Sequence, residues 1–168
     1  MRVIGIDPGT ARTGWGVIEF TNCTLKAVNF GCIKTTTKQS GGERLKVIYD
    51  ELLELIAETK PEEMAIEKLF FNTNVKTALS VGQARGVCIL AAATRGLLIS
   101  EYNTTEVKNF MTGYGRAMKI DVANRVKELL QLEVMPKPDD VTDALAIAAT
   151  HIAQKLNLDL EGLLGIQQ

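Results

Sequence analysis

The sequence predicts one α/β domain in which helices flank a five-stranded mixed sheet. Short apolar runs bounded by turn residues indicate the strands, and longer stretches with apolar residues on one face indicate the helices. Three strands come first and helices then alternate with two more strands, an order typical of a mixed sheet. The length of 168 residues suits a single domain, which we place at residues 1–156, with a C-terminal tail at 157–168.

The strands are recognised by their apolar runs and by the turns that end them. The first run stops at Pro8 and Gly9, as expected of a buried strand entering a turn. The second and third runs flank the turn residues Thr21 and Asn22 and complete an opening meander. The fourth follows Pro61, and the fifth follows a long stretch of small residues. The predicted strands are residues 3–6, 14–20, 24–35, 64–67 and 97–100.

The helices have boundaries of the expected kinds. Ser40 is a favourable N-cap for a helix with one apolar stripe, and Pro61 prevents that helix from continuing. The next helix is rich in small residues, and one face of it fits close approach of either another helix or the sheet. That face carries Ala78, Gly82, Gly86 and Ala93. The predicted helices are residues 40–59, 73–95, 105–111, 119–130 and 139–156.

The composition indicates a soluble cytoplasmic protein. Cys23, Cys32 and Cys88 are odd in number and widely spaced, which argues against a zinc site or a disulfide framework and suits a reducing compartment. The chain opens directly on its first strand and has no secretory signal pattern. Its longest apolar run, residues 86–94, is too short to cross a bilayer.

The charge is unevenly distributed although the net charge is only −1. Residues 71–127 carry eight Lys or Arg against three acids, whereas residues 50–67 carry seven acids against one Lys. A basic stretch beside an acidic centre can bind a polyanion through metal ions.

Four carboxylates occupy positions that suggest a shared site. Asp7 and Glu67 end the first and fourth strands, where sites form in open α/β sheets. Asp140 and Asp143 are three residues apart on one helix and share a face. Three of them have ordinary alternatives: Asp7 as a turn residue, Glu67 as a strand-end acid, and Asp140 in helix capping, the role we assign to Asp139. Asp143 is harder to explain in this way because it interrupts an apolar helix. Together, oxygen ligands without cysteine favour Mg²⁺ or Mn²⁺, and two such ions can promote phosphodiester cleavage.

Four distinctive segments are spread over nearly the whole chain. They are Gly5-Ile6-Asp7-Pro8-Gly9-Thr10 with Thr13-Gly14-Trp15-Gly16, Ala65-Ile66-Glu67 with Phe70, Gly82-Gln83-Ala84-Arg85-Gly86-Val87, and Asp140-Val141-Thr142-Asp143-Ala144-Leu145-Ala146. In this order they resemble the RuvC-type Holliday-junction resolvases. The resemblance implies a ribonuclease-H-like nuclease domain in a homodimer that nicks four-way DNA junctions symmetrically in recombination and repair. It implies two Mg²⁺ ions per subunit, with Mn²⁺ as a substitute, and a branch-migration helicase complex as a partner.

The resemblance also implies roles for individual residues. Asp7, Glu67, Asp140 and Asp143 match the family's catalytic, metal-binding acids. Lys108 and Lys119 match lysines near the cut phosphate, although lysines at such positions are more often solvated surface residues.

One aromatic position and three other residues near the matched segments have open or modest roles. Phe70 matches an aromatic that stacks on an unpaired base, and Phe71 beside it leaves open which ring stacks. His151 is expected to be structural. Arg12 and Thr13 are expected to stabilise the first hairpin, with phosphate contact as the alternative.

Other functions remain to be separated from this one. An RNA-trimming nuclease and a nucleotide-binding module of the actin or sugar-kinase type share the Asp-x-Gly-Thr opening, but the second normally has a further glycine-rich hairpin and a much longer chain. A non-catalytic junction-binding protein is the third alternative, and the intact carboxylates argue against it.

Overall fold

The computed structural model describes residues 1–69 and 75–164, with the backbone alone for residues 75–77. The strands of this part are β1 (Arg2–Asp7), β2 (Arg12–Thr21), β3 (Thr24–Lys34), β4 (Glu63–Glu67) and β5 (Leu98–Tyr102). The helices are α1 (Gly41–Thr59), α2 (Val75–Thr94), α3 (Thr104–Thr112), α4 (Lys119–Leu129), α5 (Asp139–Leu156) and α6 (Leu160–Leu163). The predicted order of elements is confirmed.

Local signals explain where two of the helices begin and end. Ser40 and Glu43 form a reciprocal capping box at the start of α1, in which each side chain accepts a hydrogen bond from the other residue's backbone N–H. Asn103 and Glu106 do the same for α3. Gly113 ends α3 in the left-handed conformation that glycine adopts readily.

The sheet is mixed, with strand order β3-β2-β1-β4-β5. β1 is its central strand and pairs antiparallel with β2 but parallel with β4, and β4 pairs parallel with β5. The carboxyl ends of β1, β4 and β5 therefore meet at one edge. Ile6 lies opposite Ile66, so Asp7 and Glu67 leave neighbouring strands at the same level.

Helix α5 lies flush on one face of the sheet because glycines remove the side chains between them. A Cβ atom at Gly5 would lie 2.0 Å from the carbonyl oxygen of Ala144, and one at Gly14 would lie 2.0 Å from that of Asp140. α5 and β1 thus touch main chain to main chain. This contact sets the height of the first turn of α5 above the end of β1.

Two hydrophobic clusters among the described residues cover the two faces of the sheet. One joins the sheet to α5, α3 and α4, and the other joins it to α1 and α2. Twelve of the 18 residues of α5 are buried, consistent with its position as the central helix of the first cluster.

Three details differ from the sequence prediction or lie beyond it. β5 runs to Tyr102, two residues past the predicted end, because its pairing with β4 continues to Glu67. Helix α6 was not predicted, and its Leu163 is buried in the first cluster. The start predicted for α2 at Thr73 lies outside the described residues, and the domain boundary at residue 156 stays a prediction.

None of the described helices has the length and hydropathy needed to span a membrane.

Candidate active site

Three of the four predicted acids line one cavity at the carboxyl ends of β1 and β4. Asp7, Glu67 and Asp143 face a space of about 260 Å³, together with Lys108 and Lys119. The remaining walls are Thr104, Val107, Val122 and Ile147. The structure therefore brings both predicted lysines to the predicted acids.

The acids form one electrostatic cluster centred on Asp7. Burial first, and then the charges of Glu67, Asp143 and Asp140 in that order, raise the pKa of Asp7 from 3.8 to about 8, while Lys119 opposes them. Asp140 does not line the cavity, yet its charge reaches Asp7. Carboxylates packed at this density repel one another, and added positive charge would relieve the repulsion.

Each of the other three acids has a neighbour that holds it. Thr104 Oγ1 donates a hydrogen bond of 2.6 Å to Glu67 Oε1, and Lys119 Nζ donates one of 2.9 Å to Asp143 Oδ2. Arg12 Nε lies 3.2 Å from Asp140 Oδ2. That pair is an ion pair by distance but is not aligned as a hydrogen bond, so Oδ2 is buried without a hydrogen-bond donor among the described residues.

The donor set fits a hard divalent cation. Carboxylate oxygens are the ligands that Mg²⁺ and Mn²⁺ prefer, and the unpartnered Oδ2 of Asp140 offers one of them. Across residues 1–69 and 75–164, no three acidic, histidine or cysteine side chains are arranged to hold an ion as they stand. Arg12 and Lys119 each lie against one oxygen, Oδ2 of Asp140 and of Asp143, and would compete with an ion for it.

Arg85 supports the end of β4 from α2. Its Nε donates a hydrogen bond of 2.9 Å to the carbonyl oxygen of Glu67, and its guanidinium forms an ion pair of 2.7 Å with Glu101 on β5. Arg85 belongs to a segment that matches the family, but the sequence predicts no role for it. Thr104 was not predicted either, and its only signal is its position just after the Asn103 cap.

His151 is a structural residue, as predicted. Its side chain is 2% exposed, and its Nδ1 lies 2.9 Å from the hydroxyl of Tyr102. Its Nε2 lies 2.9 Å from Glu63, which also pairs with Lys155 at 3.0 Å. Burial lowers the pKa of His151, although the hydrogen bond and charge of Glu63 act against it. This network fastens α5 to the amino end of β4, away from the acids.

Thr13 stabilises the first hairpin, as the sequence predicts. Thr13 is fully buried, and its Oγ1 donates a hydrogen bond of 2.8 Å to the carbonyl oxygen of Gly9. Arg12, by contrast, serves Asp140 rather than the hairpin. Phe70 and Phe71 lie outside the described residues.

Comparison with known proteins decides the family. The profile of the family "Crossover junction endodeoxyribonuclease RuvC" matches residues 3–151. The chain belongs to the RuvC family. Relatives in this family from Pelotomaculum thermopropionicum and Heliobacterium modesticaldum are 48% and 51% identical, over 90% and 88% of this chain and 92% and 91% of theirs. Membership makes the chain a crossover junction endodeoxyribonuclease, in a family of metal-dependent nucleases.

Solved RuvC structures share the whole fold. RuvC from Thermus thermophilus is 33% identical, with a TM-score of 0.84 over 95% of this chain and 98% of that one. The same protein in complex with a Holliday junction substrate is 32% identical, with a TM-score of 0.86 over 99% and 97%. The predicted ribonuclease-H-like fold is confirmed, and the family match sets aside the RNA-trimming, nucleotide-binding and non-catalytic alternatives.

Proposed function

We propose that this chain resolves four-way DNA junctions by symmetric paired nicks at the carboxylate cluster, with Asp7, Glu67, Asp140 and Asp143 as its catalytic and metal-binding residues. The observation that carries the assignment is the convergence of these acids on Asp7 at the carboxyl ends of β1 and β4, where their charges add to burial in raising the pKa of Asp7 to about 8. Acids that served only as turn residues or helix caps would have no reason to crowd one another.

Two Mg²⁺ ions per subunit would occupy the cluster, and Mn²⁺ would substitute for Mg²⁺. When bound, such a pair activates water and neutralises charge on the leaving oxygen of a phosphodiester. Asp7, at the end of the central strand, is the acid best placed to be shared. The proposal requires Asp140 to exchange its contact with Arg12 for the ion, which its unpartnered oxygen favours.

Lys108 and Lys119 would bind the phosphate that is cut. They are the cations that line the acid-lined cavity, and a phosphate there would pair with them rather than with the acids. The hydrogen bond from Lys119 to Asp143 raises the pKa of Lys119, with burial opposing, so that this side chain stays charged at neutral pH. Stacking of Phe70 on a base stays a prediction.

The assignment is tested by cleaving a synthetic four-way junction with Mg²⁺. Asp7→Asn and Asp140→Asn should bind the junction but cut it at least about a hundredfold more slowly, roughly the loss expected when one group that stabilises the transition state is removed. Asp139→Asn is the matched control because this neighbour of Asp140 is an exposed first-turn acid of α5 that does not line the acid-lined cavity. Cutting by Asp7→Asn at the parental rate would overturn the assignment.

Symmetric nicks require two copies of the site, and the outer face of α2 suits a homodimer. Leu79 and Leu90 are 66% and 56% exposed there, and a Cβ placed on Gly86 would have no described atom from outside its own helix within 4 Å. A two-fold axis at this face would hold two identical sites in fixed relation. The branch-migration partner and the cytoplasmic location stay predictions.

The dimer has its own experiment. Leu90→Glu should sediment as a monomer and lose paired nicking, because a buried unpaired charge is costly at an interface. Val134→Glu is the control, since Val134 is 76% exposed on the segment between α4 and α5. If Leu90→Glu remained dimeric, this face of α2 would not be the dimer interface.

A further inference from the structure

A second cavity adjoins the proposed active site at the N-terminus of α4. Its volume of about 320 Å³ falls within the range of roughly 300–1,000 Å³ typical of small-ligand pockets. Lys119 and Asp143 line both this cavity and the acid-lined one. The two cavities are therefore neighbours, with the Lys119–Asp143 ion pair at their boundary.

The walls of the second cavity are mainly apolar. Ile120 and Ala123 come from α4, and Met135 and Pro136 come from the segment that precedes α5. Thr142 on α5 is 3% exposed and donates a hydrogen bond of 3.4 Å to the carbonyl oxygen of Pro136, which fixes that segment against the helix. Ile120 is 54% exposed, so an apolar side chain stands at the rim.

Charged residues stand around this apolar interior. Lys119 and Lys137 contribute two cations to the lining, and Asp139 and Asp143 contribute two acids. Asp143 already pairs with Lys119. Lys137 is exposed and forms no ion pair with a carboxylate of the described residues, which suits it to a backbone phosphate. Apolar walls beside a cation match the two parts of a nucleotide, whose base has apolar faces and whose phosphate is charged.

We propose that the second cavity receives a base of the cut strand next to the phosphate being cleaved, so that its walls contribute to the choice of cleavage sequence. The proposal rests on the proposed function, because it needs the cut phosphate to lie at the acids. The two shared residues then mark the boundary between phosphate and base. Ile120 and Ala123 become specificity-determining residues, while Lys137 supports the adjoining backbone.

The experiment measures whether the base and the cavity act on the same step. Junctions are made with an abasic nucleotide on either side of the cut site, and single-turnover cleavage is followed with the enzyme in excess. For the parent, removing the base at one of the two positions should slow cleavage roughly tenfold, which is within the range for the loss of one stacked base. Ala123→Leu, which fills the cavity, should slow cleavage of the intact junction to a similar extent. Its cleavage rate should not fall further when the base is removed.

Two further variants control for other effects. Ile120→Ser removes one wall at an exposed position, so it should fold like the parent and show the same loss of sensitivity, even where Ala123→Leu does not fold. Asn124→Leu places the same new side chain on the neighbouring residue, which lines a different cavity, and should behave as the parent does.

Each outcome decides a separate question. If base removal slows the parent and both cavity variants by the same factor at both positions, the base does not occupy the cavity and the proposal is overturned. Asp7→Asn, measured beside them, reports on the acids alone. If Asp7→Asn cuts at the parental rate, the proposed function is overturned. If Asp7→Asn is inactive but base removal and the cavity variants slow cleavage independently of each other, only the base-binding proposal is overturned.

Discussion

Asp7→Asn should make the metal-free protein more stable while it abolishes cutting. The change keeps the shape of the side chain and removes its charge. In the folded chain burial and the neighbouring acids raise the pKa of Asp7 to about 8, whereas the unfolded chain has the ordinary value of 3.8. Between these values the unfolded state releases a proton that the folded state keeps, so the contribution of Asp7 to stability is present below pH 3.8 and is lost as the pH rises to 8.

The size of the effect follows from the same two values. From 3.8 to pH 7 is about three pH units, and each is worth about 1.4 kcal/mol of the free energy of unfolding. Asparagine at position 7 should therefore raise that free energy by up to about 4 kcal/mol at pH 7 and by about 2 kcal/mol at pH 5. Above pH 8 the gain should stop growing, because Asp7 is then ionised in both states.

Urea denaturation in EDTA at several pH values measures this gain directly. Asp139→Asn is the control, since it neutralises an exposed first-turn acid and should lower the free energy of unfolding by a few tenths of a kcal/mol. Adding Mg²⁺ should shrink the advantage of Asp7→Asn, because the parent gains binding energy that the variant lacks. An advantage that is absent at pH 7, or that does not change with pH, would refute the reasoning that the acids crowd Asp7.

Three further outcomes follow from contacts elsewhere in the fold. Gly5→Ala should lower the free energy of unfolding by about 3 kcal/mol or more in urea, because its Cβ would overlap α5. Gly42→Ala, in the exposed first turn of α1, adds a Cβ that meets no described atom and should be neutral or stabilising; equal effects would contradict the packing. His151→Gln should be less stable than the parent at pH 8 but should lose less stability as the pH falls below 6.5, because burial lowers the pKa of His151 and the unfolded parent binds the proton more readily than the folded one; parallel pH curves would exclude this. Arg12→Gln should bind Mn²⁺ up to about fivefold more tightly by calorimetry without DNA, because an exposed ion pair with Asp140 competes for that carboxylate, and weaker binding would count against the competition.

The fold could be predicted from the sequence where signals are local. The bounds of α5 were correct because the proline break before it and the acids of its first turn mark its start. The end of α1 follows from Lys60 and Pro61 in the same way. Helix α6 was missed because only four residues form it, and what stabilises it is burial of Leu163 in a core that exists only after folding.

The candidate site was likewise predictable where its signals are local and not where they depend on packing. The acids were predictable because strand ends and one helix face place them near one another. Lys119, the partner of Asp143, was expected near the site from the family resemblance. The pairing of Arg12 with Asp140 was not predictable, because the two are far apart in the sequence and meet only through the packing of α5 on β2. Glu67 likewise depends on Thr104 and Arg85, which reach it from separate helices.

The glycine contacts of α5 have a consequence for how the enzyme responds to heat. Where Gly5 and Gly14 face the helix, backbone rests on backbone, and no rotamer can absorb a small displacement. Warming therefore cannot gradually increase the distance between Asp7 and the acids of α5. That distance stays the same until α5 separates from the sheet and the core opens. Loss of cutting and loss of structure should therefore share a single temperature, with no intermediate range in which a folded but slackened enzyme works slowly.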